Sequence, residues 1–133
     1  MKEDIDFPKV DKVGVCAVPD EKEGMQAWVV HVLNMLPDTI SNVLVSTRGY
    51  GKKNNEDVKT SELRHYFEEV GAMDARQVEI VPQDLEGLNN QFWVSYYHNG
   101  KLFDKKFIFL PDSLIEDNMR ELPVLKQKGI LII

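Results

Sequence analysis

The chain holds one cysteine, Cys16, so no internal disulfide can form and packing alone must hold the fold. Cys16 lies in the apolar run Val13-Gly14-Val15-Cys16-Ala17-Val18, where a thiol serves as a small hydrophobe. No activating motif surrounds it, which speaks against a nucleophile. Long hydrophobic runs are missing too: no stretch approaches the roughly 18 apolar residues of a membrane helix. The opening residues, Met1-Lys2-Glu3-Asp4-Ile5-Asp6-Phe7-Pro8, are charged where a secretory leader is apolar. A cytoplasmic protein without membrane association is expected. Positive charge is scarce as well, with 16 Lys and Arg against 22 Asp and Glu, a net charge of −6. Such a surface repels phosphate backbones and anionic lipid, so nucleic acid is not an expected partner.

Catalytic and metal-binding signatures are also wanting. His31, His65 and His98 fall in separate segments, without HExxH, CxxC or clustered Asp/His spacing, so neither a metal site nor a cofactor is expected. Gly49-Tyr50-Gly51-Lys52-Lys53 matches neither GxxxxGK[ST] nor GxGxxG, and no evident helix follows to hold an anion. Glu68-Glu69 and the Asp112/Glu116 pair read as a solvated face and a helix cap, since general acid–base pairs need a pocket that separates their pKa values. Ser95, His98 and Asp104 form no triad. Ser95 and His98 are three residues apart, and a regular strand points them to opposite faces. No catalytic residue is expected.

What is present suits one domain spanning residues 1–133. The hydrophobic fraction is 43% and the charged fraction 29%, enough to build a core and too balanced for disorder. Strand-like runs follow one another at Lys12–Val18, Gln26–Asn34 and Ile40–Arg48, the last two read as a hairpin with a medium loop. Gln26–Asn34 is apolar on both alternating faces, the pattern of a central strand covered on both sides, or on one side plus a partner. Gly49–Asp57 is the longest polar stretch and reads as an exposed, mobile loop. Thr60–Val70 fits either period, since Leu63, Tyr66, Phe67 and Val70 mark a helix face while Leu63, His65 and Phe67 alternate; strand is favoured by its neighbours. Gln77–Val81 is a further strand, ended by Pro82.

The sharpest local signal is Asn99-Gly100 between Gln91–His98 and Lys101–Leu110. Both residues of a two-residue type I′ turn need positive φ, which Asn tolerates and Gly accepts freely. The turn sets the register, pairing His98 with Lys101 and so on to Phe92 with Phe107. Phe92, Val94, Tyr96, Phe103 and Phe107 then face the core, while Trp93, Tyr97, Leu102 and Lys106 face outward. Lys105 falls on the core side opposite Val94, which calls for either a bulge or an edge position from which it snorkels. Pro111-Asp112-Ser113 followed by Glu116 has capping-box spacing and predicts a short helix up to Met119–Glu121, stopped by Pro123. The apolar ending Gly129-Ile130-Leu131-Ile132-Ile133 predicts a paired strand or a docked tail.

Trp28-Val29-Val30-His31-Val32-Leu33-Asn34, Val43-Leu44-Val45-Ser46 and Phe92-Trp93-Val94-Ser95-Tyr96 give the chain a layout that resembles small bacterial immunoglobulin-like β-sandwich domains. The resemblance implies a mainly β, antiparallel sandwich of about seven strands with a short C-terminal helix. It implies no activity and carries over no functional residue. Two functional readings stand beside it. One is a non-enzymatic protein-interaction or self-association domain, with a protein partner or a homo-oligomer contacting Trp93, Tyr97, Leu102 and Lys106. The other is a small-ligand binder or enzyme using the loop 48–57, with Tyr50, Lys52 and Lys53 at the ligand.

Overall fold

Two antiparallel sheets face each other in the computed structural model, which describes residues 9–22 and 25–133. The charged N-terminal octapeptide and the pair Glu23-Gly24 lie outside the described residues. The strands are β1 (Val13–Lys22), β2 (Met25–Asn34), β3 (Ile40–Lys53), β4 (Glu56–Lys59), β5 (Leu63–Val70), β6 (Asp74–Pro82), β7 (Asn89–His98), β8 (Lys101–Phe109), β9 (Arg120–Glu121) and β10 (Lys128–Ile132). The first sheet runs β6-β2-β1-β10-β9 and the second β4-β3-β7-β8. On the edge of β3 opposite β7, β5 pairs with Ile40–Thr47 and β4 with Tyr50–Lys53, so two short strands share one long one.

The mainly β, two-sheet sandwich layout is as expected, but the expected fold class fails on two counts. Among the described residues there are ten strands rather than about seven, and no C-terminal helix. Among the described residues the only helices are single 3-10 turns at Gln83–Leu85 and Glu116–Asn118. The capping-box spacing misleads because Ser113 Oγ donates to the Leu110 carbonyl at 2.7 Å instead of capping. Asn118 in turn donates to the Ser113 carbonyl at 2.8 Å. The apolar residues of this segment also serve two different clusters. Leu114 and Met119 join the main core, whereas Leu122 joins a second cluster, a division that one short helix face does not allow. A helix this brief has little stability without a single packed face.

Two further expectations change. β2 and β3 are not a hairpin: β2 pairs with β1 and β6, while β3 lies in the other sheet, so residues 35–39 cross between layers. Nor is Gly49–Asp57 a mobile loop, because β3 continues to Lys53 and turns into β4 at Asn54-Asn55. Both asparagines have positive φ, 54° and 66°, the conformation of a type I′ turn, which Asn adopts at small cost.

The main core lies between the sheets. Val13, Val15, Val30 and Val32 from the first sheet meet Val43, Val45, Phe92, Val94, Phe107 and Phe109 from the second. Phe92 and Phe109 pack edge to face at 5.8 Å between centroids. A second cluster sits on the outer face of the first sheet, where the Leu122–Leu125 turn folds over Cys16, Val18 and Leu33. This explains the two apolar faces of β2: Val30 and Val32 enter one cluster and Leu33 the other. Gly129 in β10 permits the close fit, since a Cβ there would lie 2.6 Å from both the Ala17 carbonyl and Leu122 Cδ1. The closing apolar run does pair, as β10 beside β1.

Candidate interaction surface

The β7–β8 hairpin adopts the register that its turn dictates, from His98↔Lys101 to Phe92↔Phe107, with Asn99 and Gly100 at φ 52° and 75°. Phe92, Val94, Tyr96 and Phe107 are buried, and Phe103 stacks on Tyr96 at 5.2 Å. Lys105 needs no bulge. The pairing is regular, and Lys105, on an edge strand, lays its ammonium 5.5 Å from the Phe107 ring. A cation on an edge strand also discourages pairing with another chain.

Trp93, Tyr97, Leu102 and Lys106 emerge together on the outer face of the second sheet. They are joined by residues that no local sequence signal places there. β3 lies between β5 and β7, so Tyr66, Leu44, Ser95 and Asp104 form one row across the sheet. Arg64, Ser46, Trp93 and Lys106 form the next, followed by Arg48, Gln91 and Ile108. Beyond Leu44 an extra residue in β3 breaks the match with β7, with Asn42 at φ 48° accepting a hydrogen bond from Tyr66 Oη. The result is an apolar ridge with Tyr66 60%, Leu102 53%, Tyr97 42%, Trp93 41% and Leu44 37% exposed. Beside it Lys106 Nζ stands 4.6 Å from the Trp93 ring centroid. A shallow recess of about 210 Å³ opens there between Ser46, Arg48, Glu62, Arg64, Trp93 and Lys106.

The residues of the expected ligand loop do not converge. Tyr50 is half-buried in β3, with the Arg48 guanidinium 5.3 Å from its ring. Lys52 faces Asp57 across the β3–β4 hairpin at 3.4 Å, and Lys53 faces Glu56 beside the turn. An open depression crosses this hairpin at Tyr50, Asp57 and Lys59. A narrower cleft of about 180 Å³ lies between β6 and the connection at Thr60 and Ser61, floored by Phe92. Its Glu79 reaches to 3.6 Å from His65 Nε2. A larger recess of about 370 Å³ lies beneath Leu114–Met119, against Trp28 and Glu86. Burial raises the Glu86 carboxyl above the usual range, the Trp28 indole opposes this, and Asp112 adds to it. Glu86 carries no sequence signal, because its setting arises only when the β6–β7 connection meets β2.

The three histidines stay apart. His31 lies on the outer face of the first sheet, its Nδ1 buried without a hydrogen-bond partner, and burial lowers its pKa against a backbone hydrogen bond at Val29. His65 faces Glu79, and His98 is half-buried at the hairpin end, with Nε2 3.0 Å from Asp38 Oδ2. Among the described residues no three His, Cys, Asp or Glu side chains gather as a metal site would require. The Cys16 thiol is fully buried, and burial pushes it up to about 12 despite a backbone hydrogen bond from His31. No helix among the described residues is long and apolar enough to cross a membrane. No family model, curated protein or solved structure matches the chain.

Proposed function

We propose that the chain is a non-enzymatic protein-interaction module whose contact surface is the outer face of the second sheet. The observation that carries this reading is the ridge of Tyr66, Leu44, Trp93, Tyr97 and Leu102, which no other described element covers. Among the described residues, two elements able to cover it are accounted for elsewhere: the segment after Pro111 runs toward the first sheet, and the apolar tail pairs with β1. Contiguous exposed aromatic and aliphatic side chains on a folded surface mark a partner's footprint. The hydroxyls on this face are those of Ser41, Ser46 and Ser95 and the phenols of Tyr66 and Tyr97, and each histidine lies away from it, so none of them is set beside an imidazole base. A cytoplasmic setting belongs to the same reading, as the free, buried thiol suits a reducing compartment.

Light scattering on the wild type beside a Trp93→Ser/Tyr97→Ser double variant tests it. A dimer that becomes a stable monomer places a second copy on the ridge. Two monomers of nearly equal stability leave the ridge to a different protein. If the variant loses several kcal/mol of stability, the face is internal packing and the reading is wrong. A small-ligand reading on Tyr50, Lys52 and Lys53 has less support, because their side chains are spread along a hairpin and Lys52 already faces Asp57.

A further inference from the structure

The charges around Trp93 narrow the chemistry of what docks there. On a chain of net charge −6, three cations, Arg48, Arg64 and Lys106, converge on one recess that contains a single carboxylate, Glu62. Among the described residues Arg48 and Lys106 form no ion pair within 4.0 Å; each stands over an aromatic ring instead. Arg64 pairs with Glu62 at 3.4 Å, but both side chains are well exposed, so the pair is weak and easily exchanged. Cations held over rings are oriented in advance, ready to receive a carboxylate without much reordering. The ridge begins one row away at Leu44 and Tyr66.

We infer that the partner segment that docks on this face is an acidic peptide segment of another protein, its carboxylates set at Arg48, Arg64 and Lys106 and its apolar side chains on Leu44, Tyr66 and Tyr97. This rests on the interaction-module reading and adds the partner's charge. A nucleic acid fits less well. The overall negative field repels a polyanion over its whole length, whereas a short segment with a few carboxylates meets only the local cations. The basic stripe also ends at Lys106, because Lys101 and Lys105 lie on the opposite side of β8.

Selection from a displayed library of random short peptides against the full chain, followed by counter-selection against Trp93→Ala, reads this chemistry directly. The expected winners are rich in Asp and Glu interspersed with Leu, Ile or aromatic residues. Their affinity should fall about tenfold or more for Arg64→Glu/Lys106→Glu, a variant confirmed folded by its circular dichroism, and should fall again in high salt. Winners that need Trp93 but are neutral or basic would overturn the acidic partner and leave the module reading standing. If no selected peptide depends on Trp93, both fall. Oligouridylate binding that disappears on the same charge reversal would overturn the inference in favour of nucleic acid.

Discussion

Replacing Asn34 should remove a large part of the stability of this fold. The side chain ends β2 and is fully buried. Its Nδ2 lies 2.8, 2.9 and 3.1 Å from the carbonyl oxygens of Asp38, Gly71 and Val70, and its Oδ1 accepts the Leu36 N–H at 3.0 Å. One amide thus ties the strand end to the crossover after it and to the β5–β6 connection. Two N–H groups serve three acceptors, so one is shared and the site amounts to three full bonds. At about 1 kcal/mol net for each, with a further penalty for carbonyls left buried and dry, Asn34→Ala should cost about 3–5 kcal/mol. That is a large fraction of the roughly 5–15 kcal/mol available to a typical domain. Urea unfolding followed by circular dichroism should show a midpoint lower by about 1–3 M. Asn34→Asp separates donor from acceptor. It keeps the acceptor for Leu36 but turns an oxygen toward three carbonyls, so at neutral pH it should be worse than alanine. Because the fold disfavours that carboxylate, its folded pKa lies above the unfolded value of about 3.9. The sign follows: the variant is relatively most stable below the unfolded pKa and loses stability as pH rises through the folded one. A loss under about 1 kcal/mol for alanine, or an aspartate variant insensitive to pH, would refute this account.

Two other outcomes are expected. Cys16 should react with a thiol reagent at pH 8 at least about a thousandfold more slowly than in the unfolded chain, since labelling must wait for opening of the second cluster; fast labelling of the native protein would show that the Leu122–Leu125 turn does not seal it. Burial lowers the His31 pKa, so the unfolded chain takes up that proton first, and stability should fall as pH drops below the unfolded value of about 6.5. His31→Leu should shrink the stability difference between pH 7 and pH 5, and an equal shift of the denaturation midpoint between those two pH values in both proteins would exclude the effect.

Local chemistry was readable in the sequence at the β7–β8 hairpin. Asn99-Gly100 determines the β7–β8 register through backbone sterics alone, and from the register comes the outward set Trp93, Tyr97, Leu102 and Lys106. The two apolar faces of β2 announced a strand covered on both sides, though not by what. Contacts between distant segments were silent. Leu44, Tyr66, Arg48 and Arg64 enter the surface only because β3 lies between β5 and β7, a pairing with no turn to specify it. Asn54-Asn55 was hidden by the glycines and charges around it, which have low strand propensity yet form the end of β3. The missing helix shows the reverse error, in which a good capping pattern loses to tertiary anchoring of Leu114 and Leu122 in separate clusters.

The pairing of Val15-Cys16-Ala17 with Ile130-Leu131-Ile132 has a consequence for how the molecule is made. On the ribosome β1 emerges among the first strands, and its hairpin with β2 can form at once. The other edge of β1 must wait until residues 35–127 have been translated. Throughout that interval its unpaired backbone faces the crowded cell, next to apolar side chains that the Leu122–Leu125 turn has yet to cover. Completion of the first sheet therefore follows synthesis of every other described strand, and nascent chains stalled short of residue 130 should be the species most in need of a chaperone.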